Sequence, residues 1–375
     1  MHLSYWELQQ FFNKSDLVVI GSGIVGINAA LQYKLSHPRH KVIILERGLL
    51  PSGASTKNAG FACFGSVSEL LSDLESADEK TVWDTVALRY KGLKKLRKLL
   101  GDTPIDYRNY GGFEVFDEQA EFEKCMDAIP AFNERAKAIT QNKRTYAQNK
   151  KIILSSGLAK VKYCIENSKE GQIDTGLMMK NLISLAWKND ISILNGVGVE
   201  KLSDGPSGCI LLLSSGLEIK TKNVIVATNG FAKELLKKKD VQPARAQVLI
   251  TNEIKGLKLK GAFHYEQGFY YFRNINNRVL FGGGRNLDIK GEETSEPGLT
   301  PLIQKKLEKM LSTIILPGVD FTIEHRWSGI MGVGKEKKPI IEHVSENVVC
   351  AVRMGGMGVA IGSLVGEMAV KELTK

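Results

Sequence analysis

The chain predicts an α/β fold in which a parallel-sheet domain winds around a glycine turn and joins a second α+β domain built on an antiparallel sheet. Three observations carry that prediction. Asp16-Leu17-Val18-Val19-Ile20 is a short apolar run that leads into Gly21-Ser22-Gly23-Ile24-Val25-Gly26 and an apolar helical stretch to about Leu35. Lys41-Val42-Ile43-Ile44-Leu45 is a second apolar run, beyond the helix-breaking His37-Pro38, so this stretch has the size and pattern of one βαβ unit. Residues 243–285 alternate aromatic, apolar and charged side chains, the period-two pattern of antiparallel strands.

At 375 residues the chain is long enough for two domains with cores that need no disulfide or metal. The net charge is +10, but the lysines are scattered through helix-like stretches such as Lys91-Gly92-Leu93-Lys94-Lys95-Leu96-Arg97-Lys98. That spacing reads as a solvated helical face and argues against a nucleic-acid partner. Cys63, Cys125, Cys164, Cys209 and Cys350 are odd in number and form no CxxC pair, which argues against a disulfide framework and against a zinc site. Met1-His2-Leu3-Ser4-Tyr5-Trp6 has no basic segment followed by an apolar one, and no run approaches eighteen apolar residues. The expectation is a cytoplasmic protein with no membrane association.

The other elements follow in order. Pro51 to Gly65 is rich in Gly, Ser, Ala and Asn and reads as an irregular ligand-contacting loop. Helices are expected at about Ser66–Leu74, Lys80–Leu99 and residues 119–143, with a strand near Asp106–Asp117. A second α/β block begins near residue 172, with a helix to about Asn189. Strands follow at Ile191–Leu194 and Gly196–Lys201, then a hairpin turning at Ser215-Gly216. A buried run, Val224-Ile225-Val226-Ala227, ends at Thr228-Asn229-Gly230. Asp288–Leu299 reads as an exposed polar loop and Pro301–Thr313 as an amphipathic helix. The chain closes with a strand, Val348-Val349-Cys350-Ala351, then the turn Gly355-Gly356-Met357-Gly358 and a helix.

A lone GxGxxG is weak evidence, since roughly 0.4 matches arise by chance in a chain of this length and glycine content. Its context strengthens it. The turn follows a strand, opens a helix and precedes a second strand that ends in Glu46 and Arg47. Gly21 permits the tight turn, Gly23 lets a pyrophosphate approach the backbone at Ile24 and Val25, and Gly26 lets helix and strand pack closely. Glu46 lies at the offset where a carboxylate can bond both ribose hydroxyls of an adenosine, and an acid there argues against a 2′-phosphate. No second fingerprint exists for a nicotinamide domain. Instead comes Pro51-Ser52-Gly53-Ala54-Ser55-Thr56-Lys57-Asn58-Ala59-Gly60-Phe61, a small-residue loop whose backbone can lie against a flavin. The cofactor reading is therefore FAD.

Over nearly its whole length the chain resembles the D-amino-acid oxidase superfamily, especially the glycine, sarcosine and γ-glutamylputrescine oxidases. The Rossmann-like fingerprint with Glu46 is one element. The loop Gly53–Gly60 resembles the family's GAS-x-RN-x-G, and Val197-Gly198-Val199-Glu200 resembles the strand whose backbone holds the adenine. Val226-Ala227-Thr228-Asn229-Gly230, Pro243-Ala244-Arg245-Ala246-Gln247 and Arg278-Val279-Leu280-Phe281-Gly282-Gly283-Gly284 match further family segments in the same order. So do Trp327-Ser328-Gly329, Pro339-Ile340 and Gly355–Gly358. The resemblance implies an FAD-binding domain made of residues 1–100, 150–235 and 326–375, and a substrate domain made of 101–149 and 236–325. It implies hydride transfer from a C–H beside a substrate nitrogen to flavin N5, hydrolysis of the imine, and reoxidation by dioxygen to hydrogen peroxide. The cofactor contacts it implies are Gly21, Gly23, Ile24, Val25, Gly26, Glu46, Arg47, Ala54, Ser55, Thr56, Lys57, Asn58, Ala59, Gly60, Val199, Ala227, Thr228, Gly230, Gly355, Gly356, Met357 and Gly358. No cysteine or histidine stands where relatives attach flavin covalently, so non-covalent FAD is expected.

The substrate side departs from the family. Glycine-oxidase-like members carry a carboxylate-clamping arginine two residues after the W-x-G glycine, where this chain has Met331. Arg273, Arg285 and Arg353 are the cations that can substitute, because a guanidinium pairs with a carboxylate in bidentate fashion. Alternation places Tyr271 and Arg273 on one face of a strand, and that pair with Arg353 or Met331 opposite is the expected pocket. His264 is a candidate base beside the ordinary reading of a structural histidine. The expected partners are a small amine or amino-acid substrate and dioxygen. Two alternatives stand beside the oxidase. One is a 2-hydroxy-acid-type dehydrogenase of the same fold, and the other is a non-oxidase flavoprotein that serves tRNA modification.

Overall fold

The computed structural model describes residues 3–236 and 239–375. Met1 and His2, where the leader reading begins, lie outside the described residues. Two eight-stranded sheets divide the chain between them. The first has the order Ile340–Ser345, Val348–Val352, Glu218–Val226, Ser15–Ile20, Val42–Glu46, Ile191–Asn195. From Val348–Val352 to Ile191–Asn195 every neighbour is parallel. Strands covered on both faces need apolar side chains in succession, and Val42–Glu46 and Val348–Val352 are buried at every position.

Glu218–Val226 shows how sequence follows environment within one strand. Its first half alternates exposed and buried residues where it pairs with Gly208–Leu213, which continues into Val199–Gly205. Its last three residues are all buried, between Ser15–Ile20 and Val348–Val352.

The second sheet has the order Ile323–Val333, Gln242–Thr251, Arg278–Gly283, Tyr270–Ile275, Ala262–Tyr265, Gly112–Phe116, Tyr163–Asn167, Tyr146–Gln148. Its pairs are antiparallel except Ala262–Tyr265 with Gly112–Phe116. Sheet membership departs from the expected segments at two places. Tyr163–Asn167, expected with the first sheet, belongs to the second, and Ile323–Val333 runs across the expected edge at residue 326. Neither strand is bounded by a turn signal strong enough to mark the crossover. The loop after residue 288 is largely exposed, as its polarity predicts, with Glu292 the exception. Glu292 is fully buried because Arg245 holds it with two hydrogen bonds of 2.8 and 2.9 Å.

The expected helices are present, as Ile24–Ser36, Val67–Ser76, Glu79–Leu100, Gln119–Thr140, Thr175–Lys188, Pro301–Met310 and Gly358–Leu373. Gly358–Leu373 packs across Ile24–Ser36 and Glu79–Leu100. It approaches the first almost backbone to backbone. A β-carbon on Gly366 would lie 2.7 Å from both the Ala29 nitrogen and the Val25 oxygen. On the other side Ser363 donates its hydroxyl to the Gly92 carbonyl at 2.7 Å. No described helix is long and apolar enough to cross a membrane, and all five cysteines are buried free thiols.

That seam yields a prediction. Gly366→Ala must push two helix backbones apart, so chemical denaturation is expected to show a loss of about 1–3 kcal/mol. Unchanged stability would mean that the seam tolerates a side chain.

Candidate active site

A cleft of ≈ 1190 Å³ runs between the two sheets. Its first wall is made of backbone turns from three distant parts of the chain: Gly21–Val25, the loop 52–59, and Met354–Val359. Gly21 has φ +104°, and a β-carbon on Gly26 would come within 1.9 Å of the Gly21 oxygen. Only glycines let this strand-to-helix turn close so tightly. The helix Ile24–Ser36 therefore points its N-terminus into the cleft. There the Ile24 N–H donates to the Ser55 hydroxyl at 3.0 Å. The helix Gly358–Leu373 points its own N-terminus at the same space through Gly355 and Gly356, with φ +57° and +82°.

Glu46 ends its strand at the cleft. Its carboxylate accepts from the Ser22 N–H and hydroxyl at 3.2 and 2.7 Å, and from the Gly48 N–H and Ser52 hydroxyl at 3.0 and 2.9 Å. Two of these donors are hydroxyls that can rotate away and be exchanged for ribose hydroxyls. Arg47 stacks on Phe231 at 3.8 Å and pairs with Glu234 at 3.1 Å. Val197, Val199, Ala227 and Thr228 complete this end. The Thr228 hydroxyl is buried without a partner. A dinucleotide fits this cradle: two helix N-termini, a glycine approach, an acid for the ribose and an unpartnered hydroxyl.

Not every expected contact reaches the cleft. Gly26, Thr56, Gly60 and Gly230 do not line it; they shape the loops that do. The Thr56 hydroxyl donates to the Pro51 carbonyl at 2.6 Å, and the Gly60 N–H donates to the Asn58 side chain at 2.8 Å. A β-carbon on Gly230 would meet the Met331 oxygen at 2.5 Å. Asn58 caps its own turn by donating to the Ser55 carbonyl at 2.9 Å. Trp327 donates its indole N–H to the Lys57 carbonyl at 2.9 Å, which docks the second sheet on this loop.

The second wall is a row of side chains across the second sheet. Trp327, Val248, Gly282, Tyr271, His264 and Glu114 stand in register on successive strands. Val248, Tyr271 and His264 line the cleft. Gly282 leaves room for the Tyr271 ring, since a β-carbon there would lie 2.6 Å from it. Phe61, from the opposite loop, meets Tyr271 and His264 edge-on at 5.6 and 5.2 Å. Burial pushes the Tyr271 hydroxyl up to about 12. Burial also pushes the His264 imidazole below its ordinary range, so the ring is neutral at pH 7, and its Nε2 has no partner.

The expected pocket needs two corrections. Tyr271 and Arg273 do share a face, but Arg273 does not reach the cleft. Its guanidinium donates to the carbonyls of Gly60 and Ile173 at 2.9 and 2.7 Å, clamping those segments to a strand of the second sheet. Burial pushes it down to about 10, still charged at neutral pH. Arg353 is likewise engaged elsewhere. It donates to the Lys338 carbonyl at 2.9 Å and pairs with Asp240 at 2.7 Å, at φ +64°. Met331, Lys57 and Arg285 do line the cleft.

Two charged clusters went unread in the sequence because their members are far apart along the chain. Lys337 joins Asp73 at 2.6 Å and Glu69 at 3.1 Å, with the buried Arg89 at 3.6 Å from Glu69. Burial pushes the Glu69 carboxyl up, but Lys337 and Arg89 overcome it and hold it at about 2. Behind the row, Cys63, Glu170 and His264 bring one ligand-type atom each within 4.8 Å of one another. Glu170 accepts from the Phe64 and Gly65 N–H groups at 2.7 and 3.0 Å. Burial nevertheless pushes its carboxyl up to about 7, and the Cys63 thiol is also pushed up by burial.

Glu170 gives a test. Its folded carboxyl holds its proton more tightly than the unfolded one, which titrates near 4.5. The stability this contributes is complete below 4.5 and is lost as pH rises through about 7. Glu170→Gln keeps an acceptor for both amides and carries no charge. The wild type is therefore expected to lose on the order of 3 kcal/mol relative to the variant across that range. Parallel stability curves would contradict it.

Comparison with known proteins agrees with this geometry. The chain matches the family described as FAD dependent oxidoreductase (DAO) over residues 16–372. No curated protein matches it significantly. Among solved structures it resembles glycine oxidase from Bacillus cereus ATCC 14579, at TM-score 0.78 and 15% identity, covering 96% of this chain and 95% of that one. It also resembles iminodiacetate oxidase from Chelativorans sp. BNC1, at TM-score 0.76 and 20% identity, with 96% and 95% covered. A third is L-proline dehydrogenase from P. horikoshii, at TM-score 0.74 and 19% identity, with 96% and 93% covered. At these identities the likeness is one of fold. The family match over residues 16–372 places the chain among the FAD-dependent oxidoreductases of the DAO family, with FAD as its cofactor.

Proposed function

We propose that this protein oxidises the carbon–nitrogen bond of an amine or amino acid, the C–H beside nitrogen leaving as hydride for flavin N5 and the electrons passing to dioxygen as hydrogen peroxide. Bound FAD supplies the two-electron acceptor. The row Val248–Tyr271–His264, facing the cofactor turns across the cleft, is the observation that carries this reading. It offers an apolar and aromatic floor that orients a small substrate and excludes water beside the ring. The imine product then takes up water and hydrolyses.

An amine gives up hydride readily only when it is neutral. His264, neutral and with Nε2 unpartnered, is suited to take the proton from a bound ammonium. Phe61 packs edge-on against its ring. At the cofactor side, the N-terminus of Gly358–Leu373 favours the negative charge that a reduced flavin carries. The cofactor is proposed to be held non-covalently, since the loop 53–60 carries neither cysteine nor histidine.

Three measurements test this. Acid precipitation is expected to release all the yellow colour into solution, and a coloured pellet would contradict non-covalent binding. Anaerobic mixing with primary amines, N-methyl amino acids, D-amino acids and hydroxy acids is expected to bleach the flavin with a nitrogen compound, followed by peroxide on admitting air. Bleaching by a hydroxy acid alone would overturn the substrate class. His264→Gln is expected to lower kcat/KM by about 10²–10⁴-fold and to move the acidic limb of its pH profile. An unchanged profile would remove His264 from proton transfer.

A further inference from the structure

We infer that His264 is a two-sided proton relay, and that Glu170 behind it holds the proton taken from the substrate nitrogen while the flavin is reduced. This deepens the amine-oxidation reading and rests on it. His264 is the one described residue that lines both the cleft and a second, small cavity behind the row. On the cleft side, its Nδ1 is the atom that a β-carbon on Gly268 would meet, at 4.0 Å. Its Nε2 is shielded from water and has no partner.

The small cavity offers ≈ 10 Å³, about the space of one water. Its wall is polar. The Ser66 hydroxyl and the Asn167 amide nitrogen are, like His264 Nε2, buried without a partner, and all three residues line it. Two buried carboxyls, Glu114 and Glu170, line it as well. A water there finds the several polar partners that a buried water needs. A ring nitrogen of His264 and a carboxyl oxygen of Glu170 lie within 4.8 Å of each other with no direct hydrogen bond between them, a gap that one water spans.

The groups around the ring decide where a proton can go. Glu69 is held ionised by Lys337 and Arg89 and does not line the small cavity. Glu114 has both oxygens engaged, by the hydroxyl and the N–H of Ser68. Cys63, Tyr146 and Tyr271 keep their protons, because burial pushes all three up. Glu170 differs. Both of its amide bonds fall on Oε1, while Oε2 lies against Gly112 on the cavity wall. That leaves Oε2 for a proton. With its carboxyl pushed up to about 7, Glu170 is mostly ionised at pH 8 and ready to accept one.

The transfer balances. A substrate ammonium gives its proton to Nδ1, the ring gives the proton on Nε2 to the water, and the water gives one to Oε2 of Glu170. The ring ends neutral, with its proton on the other nitrogen, and the amine, now neutral, can give up hydride. The same path run backwards returns the proton once the product has left. Glu170 touches no substrate and acts through His264.

The test uses the FAD-loaded enzyme. Infrared spectra report protonated buried carboxyls without any substrate. A carboxylic C=O band that disappears as pH rises through about 7 is expected in the wild type. It is expected to be absent from Glu170→Gln and shifted in frequency in His264→Gln, because the two groups share one water. A band unmoved by His264→Gln would overturn the link. Any amine, N-methyl amino acid or D-amino acid that bleaches the flavin is then mixed anaerobically at pH 8 with phenol red as proton indicator. The wild type is expected to keep the proton during bleaching. Glu170→Gln is expected to release about one proton per flavin and to bleach about 10²-fold more slowly, with FAD content and substrate Kd retained. Ser66→Ala, which removes one hydroxyl from the cavity wall, is expected to fall between them in rate. Equal proton release in wild type and Glu170→Gln, or an unchanged rate in Glu170→Gln, would overturn the relay. The two readings fail separately. Bleaching by no nitrogen compound would overturn the reaction, and the infrared series would still decide whether His264 and Glu170 are joined.

Discussion

The site depends on one steric constraint, the near contact between two helices that carry small residues at their crossing. Gly358–Leu373 can lie on Ile24–Ser36 only because Gly366 puts no β-carbon between it and the backbone of Val25 and Ala29. The two helices start in different strands, at opposite ends of the sequence. Packed this closely, they bring both N-termini to one cleft, where the partial positive charge of each serves an anionic or electron-rich part of one ligand. A larger residue at the seam would spread the helices and separate the two ends of the cofactor site.

The second sheet is held against this frame by few, specific bonds. Arg273 reaches from its strand to the carbonyls of Gly60 and Ile173, and Trp327 reaches to the carbonyl of Lys57. Both contacts fix the loop 53–60 between the sheets. The loop is therefore positioned from both sides, which suits a segment expected to lie against the flavin ring. The same guanidinium that suits a carboxylate also suits two backbone carbonyls, and in Arg273 the fold supplies the carbonyls.

The cofactor end was legible in the sequence because its signals are local. Gly21, Gly23, Gly26 and Glu46 lie within one βαβ unit, and their spacing encodes a geometry that the structure reproduces. The substrate end was legible only in part. Alternation placed Tyr271 on the cleft face, and His264 falls in the same row by strand pairing. Which arginine is free could not be read, because Gly60 and Ile173, which engage Arg273, lie 213 and 100 residues away, and Asp240, which pairs with Arg353, lies 113 away. The same distance problem hid Glu170, whose two amide donors lie 106 and 105 residues before it.

That distinction bears on how a family fold changes its substrate. The cradle for FAD is made mostly of backbone, so its demands fall on glycines and helix ends and tolerate little change. The opposite wall is made of side chains projecting from a regular sheet. A side chain can be exchanged on one strand, as Met331 illustrates, without moving either sheet. What must be preserved is the local charge balance of the cleft, where Lys337 answers Glu69 and Asp73 and Arg47 answers Glu234.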